Sequence, residues 1–193
     1  KFHSYIEQAA SDPTLYASLD GFWEGNNVGT RSVKVVTGEI PGYGEGEILV
    51  GAHHDSVYIS PGAVDNAVGV AQLLEVATQL SELNLESTVT FATWGGEELG
   101  LLGSQAYIQS YKEEVDNIDL YINLDSTNLN PSIGLGTLGI ETSEQHLIES
   151  ISKIQRTVLG HEVWEDYDTD LQLNNLDGSS DHRSFNQYGT PTI

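Results

Sequence analysis

The stretch Glu47-Ile48-Leu49-Val50-Gly51-Ala52-His53-His54-Asp55 decides the fold, because it joins a strand to a cluster of polar groups at the strand's C-terminal end. The turn-like run Pro41-Gly42-Tyr43-Gly44-Glu45-Gly46 marks its start. Residues 47–52 therefore read as a strand, and residues 31–40, which alternate in places, as its partner in a β-hairpin. Downstream, Asp65-Asn66 stands at a helix start, and Val68, Ala71, Leu74 (with Leu73), Ala77, Leu80 and Leu83 form an apolar stripe at helical spacing over residues 66–83. Residues 87–94, Ser-Thr-Val-Thr-Phe-Ala-Thr-Trp, are β-branched and aromatic, hence a strand. A helix over 101–115, a strand over 118–124, an amphipathic helix over 144–159 and a short helix over 180–188 follow, and a last strand opens at Thr190-Pro191-Thr192-Ile193. Strands alternating with helices imply an α/β sandwich around a mixed, largely parallel sheet.

The 193 residues carry 7 Lys and Arg against 29 Asp and Glu, a net charge of −22 and a pI near 4.2, which argues against nucleic acid and anionic membranes as partners. Most of that acid reads as solvated surface, serving solubility or a high-salt habitat. A hydrophobic fraction of 38% suits one packed domain over residues 1–193. With no Cys there is no disulfide framework and no thiolate nucleophile, so any metal falls to His, Asp and Glu. No apolar run is long enough for a membrane span, and no basic start followed by an apolar core marks a signal peptide. The chain also lacks Met, even at position 1, so Lys1 reads as a cut point and the domain as truncated at both ends.

Four polar clusters fall at the C-terminal ends of the expected strands or just beyond: His53-His54-Asp55, Asp65, Glu97-Glu98 and Asp125. That edge of an open α/β sheet is where ligands bind. In extended backbone His53 and Asp55 share a face, so the carboxylate can orient the imidazole as a metal ligand; taken alone, the pair reads first as a hydrogen-bonded strand-end histidine. Asp65 alone reads as a helix N-cap, and Asp125 is similarly ambiguous. The adjacent carboxylates Glu97 and Glu98 beside Leu99, Leu101 and Leu102 cost free energy unless a cation or proton relieves them; the plain alternative is a solvated pair opening a helix. Together these groups make a nitrogen and oxygen donor set suited to zinc, or less specifically to manganese or cobalt, with a further carboxylate free to serve as general base. Gly134-Leu135-Gly136-Thr137-Leu138-Gly139 matches a dinucleotide fingerprint but reads as a Gly-rich turn, and residues 162–170 read as a solvated acidic face. No Gly-x-Ser-x-Gly elbow supports a serine hydrolase.

The segments Gly51-Ala52-His53-His54-Asp55-Ser56, Val64-Asp65-Asn66-Ala67-Val68-Gly69, Trp94-Gly95-Gly96-Glu97-Glu98-Leu99-Gly100, Asn123-Leu124-Asp125 and Ser180-Asp181-His182-Arg183-Ser184-Phe185 together resemble the M28 family of zinc peptidases, over residues 32–193. The resemblance implies a three-layer α/β/α sandwich and a zinc metallopeptidase, in most members an aminopeptidase. It implies that His53 and Asp125 bind one zinc ion and Glu98 a second, with Asp65 bridging the two. Glu97 is then the general base and Asp55 the partner of His53, and the substrates are peptides with a free N-terminus. The family's last metal ligand is a His a few tens of residues beyond the Ser-Asp-His segment, past Ile193, so one of the two expected zinc sites lacks a ligand in this chain. Asp181 and His182 are expected beside the ligands or the substrate. The rival readings are a carboxypeptidase or dipeptidase of the same family, a single-zinc glutaminyl cyclase and a non-catalytic binding module of the same fold. An extracellular location is the expectation.

Overall fold

Strand β4 (Glu47–His53) sits inside a four-stranded sheet, where it pairs in parallel with β5 (Thr88–Trp94) on one side and β6 (Ile118–Asn123) on the other. These strands belong to a computed structural model, which describes residues 16–19, 31–126, 140–142, 147, 150, 171–173 and 180–193. In chain order the remaining elements are β1 (Tyr16–Leu19), β2 (Arg31–Lys34), β3 (Val36–Ile40), α1 (Val68–Leu80), α2 (Leu102–Ser110), α3 (Lys112–Val115), β7 (Ile140–Thr142), β8 (Leu171–Leu173) and α4 (His182–Tyr188). The sheet order is β3-β5-β4-β6, with β3 antiparallel at one edge. Beyond β6 the chain runs on in parallel: Tyr121 N–H donates to Pro191 O, Ile193 N–H to Tyr121 O and Asn123 N–H to Ile193 O. Separately, β1 pairs antiparallel with β2, and β7 pairs in parallel with β8.

Alternation along the strands builds a core on each face of the sheet. Val50, Ala52, Val89 and Phe91 pack with Leu73 and Ala77 of α1, while Leu49, Ala92, Trp94 and Tyr121 pack with Tyr107 and Ile108 of α2 and Phe185 of α4. The result is the α/β sandwich expected from the alternating elements, with helices on both faces. On the second face the aromatic rings are in mutual contact: Trp94 lies 5.3 Å from Tyr107 and 5.7 Å from Phe185, and Tyr121 stacks on Phe185 at 4.0 Å. Such pairs contribute about 0.5–1.5 kcal/mol each beyond area burial and here fix α4 against the end of β6. No helix among the described residues is long and apolar enough to cross a membrane.

Several expectations need correction. The hairpin does not form: β3 pairs with β5, and β5 lies between β3 and β4. The turn-like run 41–46 instead passes across the start of β5, with Tyr43 N–H donating to Leu85 O, Gly44 N–H to Glu86 O and Thr88 N–H to Gly46 O. Gly42 is needed in that crossing because a Cβ there would overlap the Glu86–Thr88 backbone. Residues 31–40 are two strands, not one, broken at Val35. The inward face of α1 runs through Gly69, Leu73 and Ala77, so the expected stripe holds at Leu73 and Ala77, while Leu74 and Leu83 are exposed. The helix expected over 101–115 breaks at Tyr111 into α2 and α3. The Gly-rich turn at 134–139, the helix at 144–159 and the acidic face at 162–170 lie outside the described residues, apart from Leu147 and Ser150.

Candidate metal site

His53 ends β4 on the same face as Leu49 and is 1% exposed. Because β4 is flanked by β5 and β6, the loops leaving all three strands converge on its imidazole. Nε2 of His53 stands 3.1 Å from Asp65 Oδ1, 3.3 Å from Asp125 Oδ1 and 4.0 Å from Glu97 Oε2. One donor atom each from His53, Asp65 and Asp125 can be drawn within 4.8 Å of one another. Asp65, Glu97, Glu98, Asp125 and Ser126 line an open cavity of about 320 Å³. The structure thus brings together all of the polar clusters singled out at the strand ends.

Asp65 is not the helix cap that its position suggests. Its backbone is non-helical (φ −115°, ψ 92°) within the wide turn Ala63–Ala67, and α1 begins only at Val68. Freed from capping, its carboxylate faces His53. Asn66 holds the turn instead: its Nδ2 donates to Leu124 O, and its Oδ1 accepts the N–H groups of Gly69 and Ser126. That ties the start of α1 to the end of β6, and so Asp65 to Asp125.

Asp55 lies beside His53, as expected, and makes a second set of contacts. The nearest contact to His53 Nδ1 is the Asp55 backbone oxygen at 3.1 Å, with the carboxylate at 3.6 Å. The carboxylate oxygens also accept the backbone N–H groups of Glu97 (3.1 Å) and Glu98 (3.2 Å). Asp55 therefore meets the imidazole through its main-chain oxygen and, at longer range, its carboxylate, and the carboxylate also holds the Glu97-Glu98 turn. Burial opposes ionisation of Asp55, but His53 and these two N–H donors outweigh it and hold its carboxyl below the usual carboxylate range.

The electrostatics of the cluster call for a cation. Burial works to lower the His53 pKa, yet hydrogen bonds to Asp125 and Asp55 and the charges of Asp125 and Glu97 push it up to about 11. Asp125 is lowered despite burial by His53, Ser180 and Ser126. Glu97 is driven up to about 8 by burial, against the attraction of His53, with the charges of Asp181, Asp125 and Glu98 adding to the rise. Glu98 is raised by burial and by Asp65, and its Oε1 has no hydrogen-bond partner among the described residues. A buried imidazole nitrogen with two carboxylate oxygens within 3.3 Å is a nitrogen and oxygen donor set that zinc accepts. The residues fit the metal.

The remaining expected residues lie one step back. Asp181 is fully buried at the start of α4, where burial, opposed by the Ser104 hydroxyl, drives its carboxyl up to about 7, and its charge reaches Glu97. Asn123 links to this segment, with Nδ2 donating to Ser180 Oγ and facing His182 Nδ1 at 3.5 Å. Two contributors escape sequence reasoning. Ser126 lines the cavity and donates to Asp125 Oδ1 at 3.1 Å, and Asn66 makes the contacts above. The adjacency of Asn66 to Asp65 was the available signal, since Asn in a tight turn is a habitual acceptor of main-chain N–H groups.

Comparison with known proteins agrees with this geometry. The sequence profile described as Peptidase family M28 matches residues 35–193. A "Probable lipoprotein aminopeptidase LpqL" of Mycobacterium tuberculosis is 35% identical over 153 residues, 75% of this chain and 30% of the relative. A zinc aminopeptidase from Bacillus subtilis superposes with a TM-score of 0.69 at 27% identity, covering 84% of this chain and 39% of that one. An Acidobacteriales glutaminyl cyclase superposes with a TM-score of 0.72 at 17% identity, covering 100% of this chain and 66% of that one, a likeness of fold alone. The chain spans 18–30% of the length of the curated relatives it matches.

Proposed function

The chain belongs to peptidase family M28, and from that premise we propose that it carries the site of a zinc-dependent aminopeptidase that removes N-terminal residues from peptides. The observation that carries the reading is the convergence of His53, Asp65 and Asp125, with Glu97 4.0 Å from the same imidazole nitrogen. His53 and Asp125 would hold one zinc ion, Glu98 a second, and Asp65 both. Zinc bound there supplies Lewis acidity toward a peptide carbonyl and makes water acidic enough to react near neutral pH.

The chain's own groups do the rest. Glu97 is the general base: buried and driven up to about 8, its carboxylate takes a proton from the attacking water and returns it to the departing amine. Asp55 holds the turn that aims Glu97 and Glu98, so the base keeps its place as its charge changes. The cluster of carboxylates at the cavity favours a substrate's protonated N-terminus over a blocked one. The Mycobacterium tuberculosis relative and the Bacillus subtilis structure are both named aminopeptidases, which supports this choice over the other M28 activities, while the likeness to the glutaminyl cyclase is one of fold alone.

Glu97→Gln in the full-length protein tests the assignment. It keeps shape and removes the base, so zinc stays bound while turnover of an aminoacyl chromogenic substrate falls by about 10²–10⁴-fold. An N-acetylated version of the substrate and a glutaminyl peptide serve as controls. Turnover near the wild-type rate removes Glu97 from the mechanism, and cyclisation of the glutaminyl peptide in place of hydrolysis overturns the peptidase reading.

A further inference from the structure

The loop that joins His53 to Asp65 ends in an apolar tip that neither turn chemistry nor core packing explains. Its two legs rise from the candidate metal site. His53 Nε2 and Asp65 Oδ1 stand 3.1 Å apart at its feet, and the Asp55 carboxylate ties the first leg to the N–H groups of Glu97 and Glu98. Above the feet the legs touch: a Cβ on Gly62 would lie 2.8 Å from Ser56 Cβ, and the φ of 67° there is one that favours glycine. Gly62 N–H donates to Ser60 Oγ at 3.1 Å, and Ser60 N–H to Val57 O at 3.0 Å, which closes a turn with Tyr58 and Ile59 at its two central positions. Turns favour Gly, Pro, Asn, Asp and Ser, each for a reason of backbone or hydrogen bonding that neither Tyr nor Ile meets. Burial does not account for the pair either. Ile59 is 92% exposed and Tyr58 entirely so, while the next most exposed large apolar side chain among the described residues, Tyr43, stands at 70%.

The position of the tip decides what can reach it. Successive Cα atoms are about 3.8 Å apart, so Tyr58 Cα lies within about 8 Å of Ser56 Cα, and Ile59 Cα within about 11 Å of Gly62 Cα. The tip thus stands beside the cavity but lines none of it, the lining being Asp65, Glu97, Glu98, Asp125 and Ser126, all polar. A substrate's first residue fills that cavity, with its ammonium among the carboxylates. An extended peptide advances about 3.3 Å per residue as it leaves, so the side chain just past the scissile bond is the first to come within reach of the tip. Between Asp55 and Asp65 the loop bears no charge, and it offers an apolar surface against an acidic rim.

We propose that Tyr58 and Ile59 determine specificity, forming an apolar wall that receives the side chain of the substrate's second residue and so favours peptides with a large apolar residue there. The inference rests on the aminopeptidase reading and extends it from the N-terminus to the position beyond the cut. Pro61, with its fixed φ, and the contact between Gly62 and Ser56 hold the tip in place before substrate arrives, so little ordering opposes binding.

Paired tripeptides test the wall in the full-length protein: Xaa-Leu-Gly against Xaa-Ser-Gly, with Ala, Leu or Lys as the first residue and its release followed by chromatography. The parent is expected to cleave the Leu member about 10-fold more efficiently in kcat/KM, the effect of burying one apolar side chain in part. Replacing both tip residues, Tyr58→Ser with Ile59→Ser, should bring that ratio to about 1, with the loss falling on KM for the Leu peptide rather than on kcat. Both side chains stand in water in the free protein, so these substitutions remove no core packing. Tyr58→Phe with Ile59→Leu keeps the wall apolar and should keep the ratio near 10. A ratio unchanged by the two Ser substitutions, or a parent with no preference at the second residue, overturns the wall. So does an equal loss on both peptides with a lowered melting temperature, which would show the tip packed within the whole protein or against a second copy. A parent that releases the first residue from none of these peptides overturns the aminopeptidase reading itself.

Discussion

Replacing Asp55 by Asn probes how the active-site turn is held. The carboxylate accepts N–H groups from Glu97 and Glu98 at 3.1 and 3.2 Å. Asn keeps the shape but offers one oxygen and one NH₂ group, so one of the two main-chain N–H groups meets a donor. Losing a hydrogen bond to a charged acceptor costs about 1.5–3 kcal/mol, and the surviving bond, now to a neutral oxygen, weakens by about 1 kcal/mol. The expected destabilisation is thus about 2.5–4 kcal/mol, measured by urea denaturation in the presence of a chelator so that metal binding does not contribute. The pH dependence gives an independent check. The folded-state pKa of Asp55 is depressed, so its contribution is fully present above the unfolded value near 4 and is lost as pH falls through the lower folded value. The gap between wild type and Asp55→Asn should therefore be constant from about pH 5 to 7 and should close below about pH 4. A difference below about 1 kcal/mol at pH 7, or a gap that widens in acid, would show that the turn is held by something else.

Other outcomes follow from the same geometry. Asp181 has its folded pKa raised to about 7, so the stability it permits is present below about pH 4 and is lost as pH rises through 7. Asp181→Asn should stabilise the chelator-treated protein by about 2–4 kcal/mol at pH 8 and leave it unchanged at pH 4, read as melting shifts at the two pH values. Asn66→Ala removes the partner of Leu124 O, Gly69 N–H and Ser126 N–H; the expected loss is about 2–4 kcal/mol by denaturant titration, with weaker zinc binding because Asp65 is no longer tied to Asp125. Zinc at about 1,000 times its Kd should stabilise the wild-type protein by about 4 kcal/mol in thermal unfolding, and this gain should disappear in Asp125→Asn.

Local chemistry makes much of this legible in the sequence itself. The β-branched and apolar runs at 47–52 and 87–94 could pack only as strands, and polar residues placed at strand ends must gather at one edge of an open sheet. The collection of His53, Asp65, Glu97, Glu98 and Asp125 around one cavity follows from that rule. The pairing of β3 with β5 was not legible, because strand neighbours are chosen by contacts across the sheet, and the run 41–46 can cross β5 as readily as it can make a turn. The same holds for Asp65 and Asp55. Capping and metal-facing roles are compatible with the same sequence, and it is Asn66 bonding to Leu124 that turns Asp65 toward His53. That Asp55 presents its main-chain oxygen to the imidazole and its carboxylate to the 97–98 turn depends on how closely two loops from different strands approach. Residue identity thus settled which groups could act. Which atom of each group faces which partner was settled by long-range packing, because hydrogen-bond direction depends on partners distant in the chain, 72 positions apart in the case of His53 and Asp125.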